Sequence, residues 1–290
     1  MSTPMNARCY VCQLNRSTKT ARALAGDDAA DAGARGLMQA FLEAPAEASP
    51  PWFGPVATKL LEEHCGLKGD RYLEDKKFSN EFVMSRLDAI RQRIESAEDP
   101  LYAAIQFAIL GNYIDFSALQ GEVSFEKLDA MLAEGESICL DKETYRQLHR
   151  DLSAGKRLLY LTDNAGEIGF DRLLAEQLHK TYPHVEITFC VRGGPAANDA
   201  TREDAAIVGI PFPVIDNGVC IAGTPLPLIG EEAKHALEEA DVMFSKGQAN
   251  VESLYGCGMN IYYAFLVKCQ RFTEHFQLPK LSPLLLRERS

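Results

Sequence analysis

Three short polar clusters in the second half of the sequence carry side chains suited to chemistry: Asp163-Asn164-Ala165-Gly166-Glu167, Gly193-Gly194-Pro195-Ala196-Ala197-Asn198-Asp199 and Ser245-Lys246-Gly247-Gln248-Ala249-Asn250. Together they supply carboxylates, amide oxygens and a lysine. Such oxygens are the hard ligands that Mg2+ or Mn2+ prefers, and a lysine beside them offers a cation for a phosphate. Each cluster taken alone has a local explanation, because Asp and Asn also cap helices and form side-chain turns. Three in succession, each after an apolar run, point instead to a shared site. The glycines fit neither a P-loop nor the dinucleotide fingerprint: Gly193-Gly194 and Gly247 lack the spacing, which removes NAD and P-loop nucleotides from consideration.

The elements that must position these clusters can be read from periodicity. Apolar runs at residues 157–161, 185–191, 241–245 and 260–267 have strand length, and the first is followed by Phe170, Leu173, Leu174 and Leu178 at helical spacing. Helices are also expected from about Thr201 and after Asn250. Strands alternating with helices imply a mostly parallel sheet covered on both faces, with ligands bound beyond the carboxyl ends of the strands. Before residue 150 the pattern is helical throughout, as in Leu37, Met38, Phe41 and Leu42, then Phe82, Leu87, Ile90 and Ile94. Residues 44–51, with three prolines, form a connector. The expected architecture is α/β: a helical N-terminal region over residues 1–152, and a three-layer α/β/α domain with a mostly parallel sheet over residues 153–290. The site is expected in the crevice between them.

Composition narrows the partners. With 46% apolar residues among 290, the chain can bury a substantial core, and 21 Gly with 14 Pro is ordinary usage. Lys and Arg number 30 against 41 Asp and Glu, a net charge of −11, so the summed field repels nucleic acid and anionic membranes. No apolar run approaches the ~18–20 residues that cross a bilayer. The first residues lack the apolar segment of a secretory signal, and a cytoplasmic location is expected. The eight cysteines are then reduced, with Cys65, Cys139, Cys190 and Cys220 expected as small core hydrophobes. The six histidines are scattered without metal-binding spacing, and oligomeric state is left open.

The clusters also have a collective likeness. Residues 161–167 with Asp171, residues 191–195 with Asn198-Asp199-Ala200-Thr201, and residues 245–250 with Glu252 together resemble the damage-control phosphatases, the metal-dependent family of domain of unknown function 89. Asp99-Pro100-Leu101, residues 111–116, Cys9-Tyr10-Val11-Cys12 and Lys268-Cys269 resemble its small prokaryotic branch, which pairs a CxxC with a late Lys-Cys. The likeness spans nearly the whole chain. Two departures, the alanines Ala196 and Ala197 and the non-aromatic Val251 after Asn250, bear on substrate preference.

Carried over by residue, the resemblance implies that Asp163, Asn164 and Asp199 hold a divalent metal (Mg2+, Mn2+, Co2+ or Ni2+), a set that leaves octahedral positions for water and a phosphate oxygen. It implies catalytic roles for Asp163, as nucleophile or as the group positioning a water, and for Lys268, reaching the substrate phosphate. Gly247, Gln248, Ala249 and Asn250 would approach the same phosphate, and N–H groups near Gly166, where a helix opens, would offer a further anion site. Glu167, Asn198, Lys246, Asn112 and Asp115 are candidates to support these groups from behind. Glu167 has an equal local role as a helix first-turn acid, and Asn112 and Asp115 as helix-ending or capping residues. Lys268, following an apolar strand, needs either a carboxylate partner or a phosphate. Cys9, Cys12 and Cys269 form a possible thiol site, as a redox pair, part of a soft-metal site, or ordinary helix residues. The implied substrate is a small phosphorylated metabolite: a sugar phosphate, a nucleotide or a damaged cofactor phosphate. S-adenosylmethionine-dependent carboxyl methyl transfer, proposed for one relative, and a non-catalytic metal or redox-sensing module are the alternatives.

Overall fold

The computed structural model describes residues 3–115, 124–135 and 138–288; Phe116, part of the 111–116 motif, lies outside them. Eight described helices precede the first strand: α1 (Ala7–Ala25), α2 (Asp27–Glu43), α3 (Gly54–Cys65), α4 (Leu73–Met84), α5 (Leu87–Ser96), α6 (Pro100–Gly111), α7 (Phe125–Ala133) and α8 (Lys142–Ala154). Their ends are written in the sequence. Asn6 caps α1 by accepting from the Arg8 and Cys9 amides, Asp99 caps α6 by accepting from Tyr102, and Asp141 caps α8 by accepting from Thr144. The prolines of residues 44–51 lie in a connector that ends in a 3-10 turn, Pro50–Phe53.

The rest of the chain builds one six-stranded sheet from β1 (Arg157–Leu161), β2 (Glu186–Val191), β3 (Val214–Asp216), β4 (Val242–Lys246), β5 (Ile261–Leu266) and β6 (Pro283–Arg287), in the order β3-β2-β1-β4-β5-β6. The first five strands are parallel and β6 runs antiparallel to β5. Five further helices, α9 (Glu167–Thr181), α10 (Arg202–Ile207), α11 (Glu231–Glu239), α12 (Gln248–Leu254) and α13 (Gln270–Phe276), connect the strands.

Alternation along the strands creates the layers. Leu158, Tyr160, Phe189, Phe244, Tyr262 and Leu266 face a core shared with α5, α6 and α9. Leu159, Leu161, Met243, Tyr263, Phe265 and Val267 face a second core with α11, α12 and α13. In the first, the Tyr160 ring stacks on Phe189 at 4.7 Å and on Phe244 at 5.4 Å, pairs worth ~0.5–1.5 kcal/mol each beyond their burial. The expected three-layer arrangement is present.

Some expectations need correction. The sequence reading lacks β3 and β6, α12 begins at Gln248 rather than after Asn250, and β4 extends one residue further than expected, to Lys246. Of the four cysteines expected in the core only Cys190 is fully buried; Cys65 is half-buried, and Cys139 and Cys220 are exposed because each sits in a connection, not an element.

α6 is apolar on nearly every side, buried at Leu101 and from Ala103 to Gly111. It presses against α9 so closely that a Cβ on Gly111 would fall 2.5 Å from the Phe170 ring. The same contact carries a buried ionic cluster. Lys246, with no exposed surface, donates to Glu167 at 2.6 Å, to Asp171 at 2.8 Å and to the Ala108 carbonyl at 2.8 Å, while the Tyr160 hydroxyl donates to Asp171 at 2.8 Å. Burial pushes the Asp171 carboxyl up to about 7, opposed by Lys246. One ammonium thus joins β4, α6 and α9. Removing it strands two buried carboxylates, so Lys246→Met is expected to lower stability by about 3–5 kcal/mol. Adding Glu167→Gln and Asp171→Asn should restore much of that loss; denaturant titration of the single and triple variants checks it, and a single variant as stable as wild type would refute it.

Candidate active site

The order in which the chain adds strands to the sheet reverses between β1 and β4, with β2 and β3 on one side and β5 and β6 on the other. At such a switch point the loops leaving neighbouring strands diverge and open a crevice beyond the carboxyl ends. Asp163 follows β1, Asp199 follows β2, Gly247 follows β4 and Lys268 follows β5.

Backbone hydrogen bonds zip the first two of these loops together. Ala200 N donates to the Asp163 carbonyl at 2.7 Å, Ala165 N to Asn198 at 2.9 Å and Arg192 N to Ala200 at 2.9 Å, and Asn164 and Asp199 pair in an isolated antiparallel bridge. The main chain therefore sets Asp163, Asn164 and Asp199 side by side. Their side chains are then oriented one by one. Asp163 Oδ2 accepts from Asn112 at 3.0 Å and from Asn164 at 2.7 Å. Asn164 spends its remaining amide hydrogen on Glu167 at 2.6 Å, and its Oδ1 accepts from Asn198 at 2.9 Å. Asp199 accepts from Arg192 Nε at 2.6 Å. From the other side, Gly247 (φ +79°) lies so close to Asp163 that a Cβ there would fall 1.9 Å from Oδ2. Only glycine fits.

Asn112, the residue ending α6, ties the helical part to this group: its Nδ2 reaches Asp163 and both Glu167 oxygens, and its Oδ1 accepts from Leu266 N of β5 at 3.0 Å. Lys268 finds its carboxylate in Asp115, 2.7 Å away, and its amide donates to Gln248 at 3.1 Å. Asn250 is committed to structure, donating to the Thr162 and Lys246 carbonyls and accepting from Thr224. Gln248 and Ala249 are half-buried at the start of α12. Near Gly166, where N–H groups are expected to offer an anion site, three amides are used within the protein: Gly166 donates to Asn80 at 2.7 Å, Ala165 to Asn198, and Ile168 to Asn164.

The three thiols differ in exposure, and Cys9 lies near enough to Cys269 to act on it electrostatically. Cys9 is buried on α1 and accepts from Arg271, Cys269 opens α13, and Cys12 is exposed. Burial, with Glu252 nearby, pushes the Cys269 thiol up to about 11, which keeps it protonated and a poor nucleophile near neutrality. Among the described residues no three His, Cys, Asp or Glu side chains gather in a group that could hold a metal.

The Asp163, Asn164 and Asp199 set, with two carboxylates and one amide, is of a different kind. Burial raises the Asp163 carboxyl well above the usual range, and the neighbouring Asp199 and Glu167 raise it further, while burial raises Asp199 against the opposing pull of Arg192. In and behind the site, the five buried carboxylates Asp115, Asp163, Glu167, Asp171 and Asp199 face three buried cations, Arg192, Lys246 and Lys268. The carboxylates outnumber the cations, so a bound cation would favour their ionised forms, and the hard-oxygen donors suit Mg2+ or Mn2+. The residues present fit such an ion.

Arg192 is the site residue to which the sequence reading gave no role. Its signal is the one shared by Lys246 and Lys268: a cation placed directly at the end of a buried apolar strand.

The chain resembles known proteins along nearly its whole length. Residues 5–281 match the domain described as damage-control phosphatase ARMT1-like. A damage-control phosphatase of Archaeoglobus fulgidus is 33% identical over 232 residues, covering 77% of this chain and 78% of that one. A damage-control phosphatase of Pyrococcus horikoshii is 31% identical over 224 residues, covering 76% and 75%. An uncharacterized protein of Methanocaldococcus jannaschii is 31% identical over 286 residues, covering 94% and 92%. The crystal structure of a DUF89 family protein from P. horikoshii superposes with a TM-score of 0.83 at 26% identity, covering 99% of each chain. The switch-point crevice and its acidic loops thus sit in a chain that belongs to the damage-control phosphatase ARMT1-like family.

Proposed function

We propose that this chain is a divalent-metal-dependent phosphomonoesterase acting on small phosphorylated metabolites such as sugar phosphates, nucleotides or damaged cofactor phosphates. The observation that carries the reading is the alignment, by backbone hydrogen bonds at the ends of neighbouring strands, of Asp163, Asn164 and Asp199, two buried carboxylates and an amide oxygen. Relatives named damage-control phosphatases support the reaction class. These three residues would hold the ion, which supplies Lewis acidity toward a phosphoryl oxygen when bound.

The remaining chemistry belongs to the chain's own side chains. Asn112 and Asn164 donate to one oxygen of Asp163, which leaves the other to act, either as the attacking nucleophile or as the acceptor that orients a water. Asn198 fixes the Asn164 amide so that its oxygen faces the Asp199 loop. Lys268, held by Asp115, places a fixed positive charge beyond β5, where it offsets charge developing on a transferring phosphoryl group. All of these groups are buried, and shielding from water makes each charge count for more than it would at the surface. Among the described residues no helix is long and apolar enough to cross a membrane. With a net charge of −11, the chain is proposed to act on a soluble substrate in the cytoplasm, not on nucleic acid or a membrane surface.

The direct test is phosphate release from a panel of esters, beginning with p-nitrophenyl phosphate, with Mg2+, Mn2+, Co2+ or Ni2+ added singly. Hydrolysis abolished by EDTA and restored by one of these ions is expected; no release from any ester with any of the ions would end the proposal. Calorimetric titration with Mn2+ should show binding to wild type and its loss in Asp163→Ala, Asp199→Ala and Gly247→Ala, the last because a methyl group must displace Asp163. Unchanged affinity in folded Asp163→Ala and Asp199→Ala proteins would refute the ligand assignment. Lys268→Met combined with Asp115→Asn, which leaves no stranded carboxylate, should keep Mn2+ binding while lowering kcat/KM by ~10² or more. Near wild-type kinetics in that double variant would remove Lys268 from the mechanism.

A further inference from the structure

Arg192 is one of the largest fully buried side chains of the protein, and its hydrogen bonding is incomplete. The Nε hydrogen goes to Asp199 Oδ2 at 2.6 Å, but neither Nη1 nor Nη2 has a hydrogen-bond partner. Asp163 Oδ1 lies 3.8 Å from Nη2, too far for a hydrogen bond. Buried guanidinium donors are expensive to leave unmade, at ~1–3 kcal/mol for an ordinary group and more for a charged one. They are found unpaired chiefly where a ligand or ordered water completes them. Lys246 and Lys268 offer the contrast. Lys246 Nζ reaches two carboxylates and a carbonyl, and Lys268 Nζ reaches Asp115, so both ammonium groups have protein partners. Among the three buried cations of the site, Arg192 alone keeps an unpartnered edge, and that edge borders the Asp163 side chain.

The chemistry of the edge defines its ligand. Two N–H groups in the plane of a guanidinium match two oxygens of a tetrahedral oxyanion, a bidentate contact that a water molecule or a single carbonyl cannot reproduce. Asp199 keeps the guanidinium from turning, because it takes Nε and leaves the Nη pair free. Asp199 is in turn fixed by its loop, whose backbone bridge to Asn164 sets the distance between the two loops. We infer that the Nη edge of Arg192 is an oxyanion subsite of this crevice, binding two oxygens of the substrate's phosphoryl group or of released phosphate. This deepens the phosphatase reading and rests on it for the identity of the anion. The three cations then have separate duties, in which Lys246 holds the scaffold, Lys268 supplies fixed charge beside Asp115, and Arg192 makes the directional contact.

Calorimetric titration of the Mn2+-loaded protein with inorganic phosphate tests the subsite, with Mn2+ affinity measured separately on the same proteins. Arg192→Lys keeps a cation for Asp199 but loses the fork, and is expected to fold, to bind Mn2+ within about threefold of wild type, and to bind phosphate about ten- to a hundredfold more weakly. Arg192→Gln should lose at least as much phosphate affinity; if it fails to fold because Asp199 is left uncompensated, the lysine variant decides alone. Wild-type phosphate affinity in a folded Arg192→Lys protein overturns the inference. So does a fall in Mn2+ affinity as large as the fall in phosphate affinity, which would make Arg192 a positioning residue for Asp199 only, and so does a wild-type protein that binds no phosphate. The phosphatase reading fails separately: a protein that binds phosphate through Arg192 yet hydrolyses no ester keeps the subsite and loses the activity, whereas an active enzyme with wild-type phosphate affinity in Arg192→Lys keeps the activity and loses the subsite.

Discussion

Carboxylates concentrated inside a protein set the terms for everything around them. Here five of them lie beneath the carboxyl ends of parallel strands, with three cations for company. Burying a charge costs several kcal/mol unless hydrogen bonds and opposite charges compensate it. The compensation reaches well beyond the immediate neighbours: Lys246 ties β4 to α6 and α9, Asn112 ties α6 to β5, and Asn80 of α4 accepts from the amide that opens α9. The helices before residue 150 therefore contribute walls and fixed donors, and the sheet contributes the acids. Neither part alone would hold the acidic loops in this arrangement.

The same constraint explains why the site is rigid where it is most charged. Asp163 is fixed on one oxygen by two amides and on its flank by the bare backbone of Gly247. A glycine is required there for two separate reasons, a positive φ and a contact that no side chain could share. Asn250, expected from the resemblance to approach the substrate phosphate, has its amide hydrogens on the Thr162 and Lys246 carbonyls and so braces the ends of β1 and β4.

Much of this is legible in the sequence because the physics is local. Four of the strands are apolar runs bounded by polar clusters, and each cluster lies where a parallel sheet places its loops. The two missed strands show where that signal ends. β3 is three residues long and follows Pro211 and Pro213, and β6 begins on a proline and pairs as an edge, so neither presents a run long enough to read. Among site residues, the three polar clusters stand out by type and position, and the resemblance singles out Asp163, Asn164 and Asp199 within them. Asn112 and Lys246 enter as supporting residues through that resemblance, but their partners, and any role for Arg192, are not legible, since hydrogen bonds across 51 and 138 positions, or an unmet edge on a single arginine, depend on tertiary approach and leave no periodic trace. The exposed Cys139 and Cys220 mislead for the opposite reason: apolar neighbours along the chain do not guarantee burial in space.

The contact between Asn112 and Leu266 carries a consequence for the order in which the molecule is made. It joins residues 154 positions apart, and Lys246 meets Ala108 across 138. During synthesis the chain has produced α6, β1 and both acidic loops long before β5 can dock, so for that interval the acids lack Lys246, Lys268 and one side of the sheet. Closing such distant contacts is slow, and strands awaiting a parallel partner expose unpaired edges while they wait.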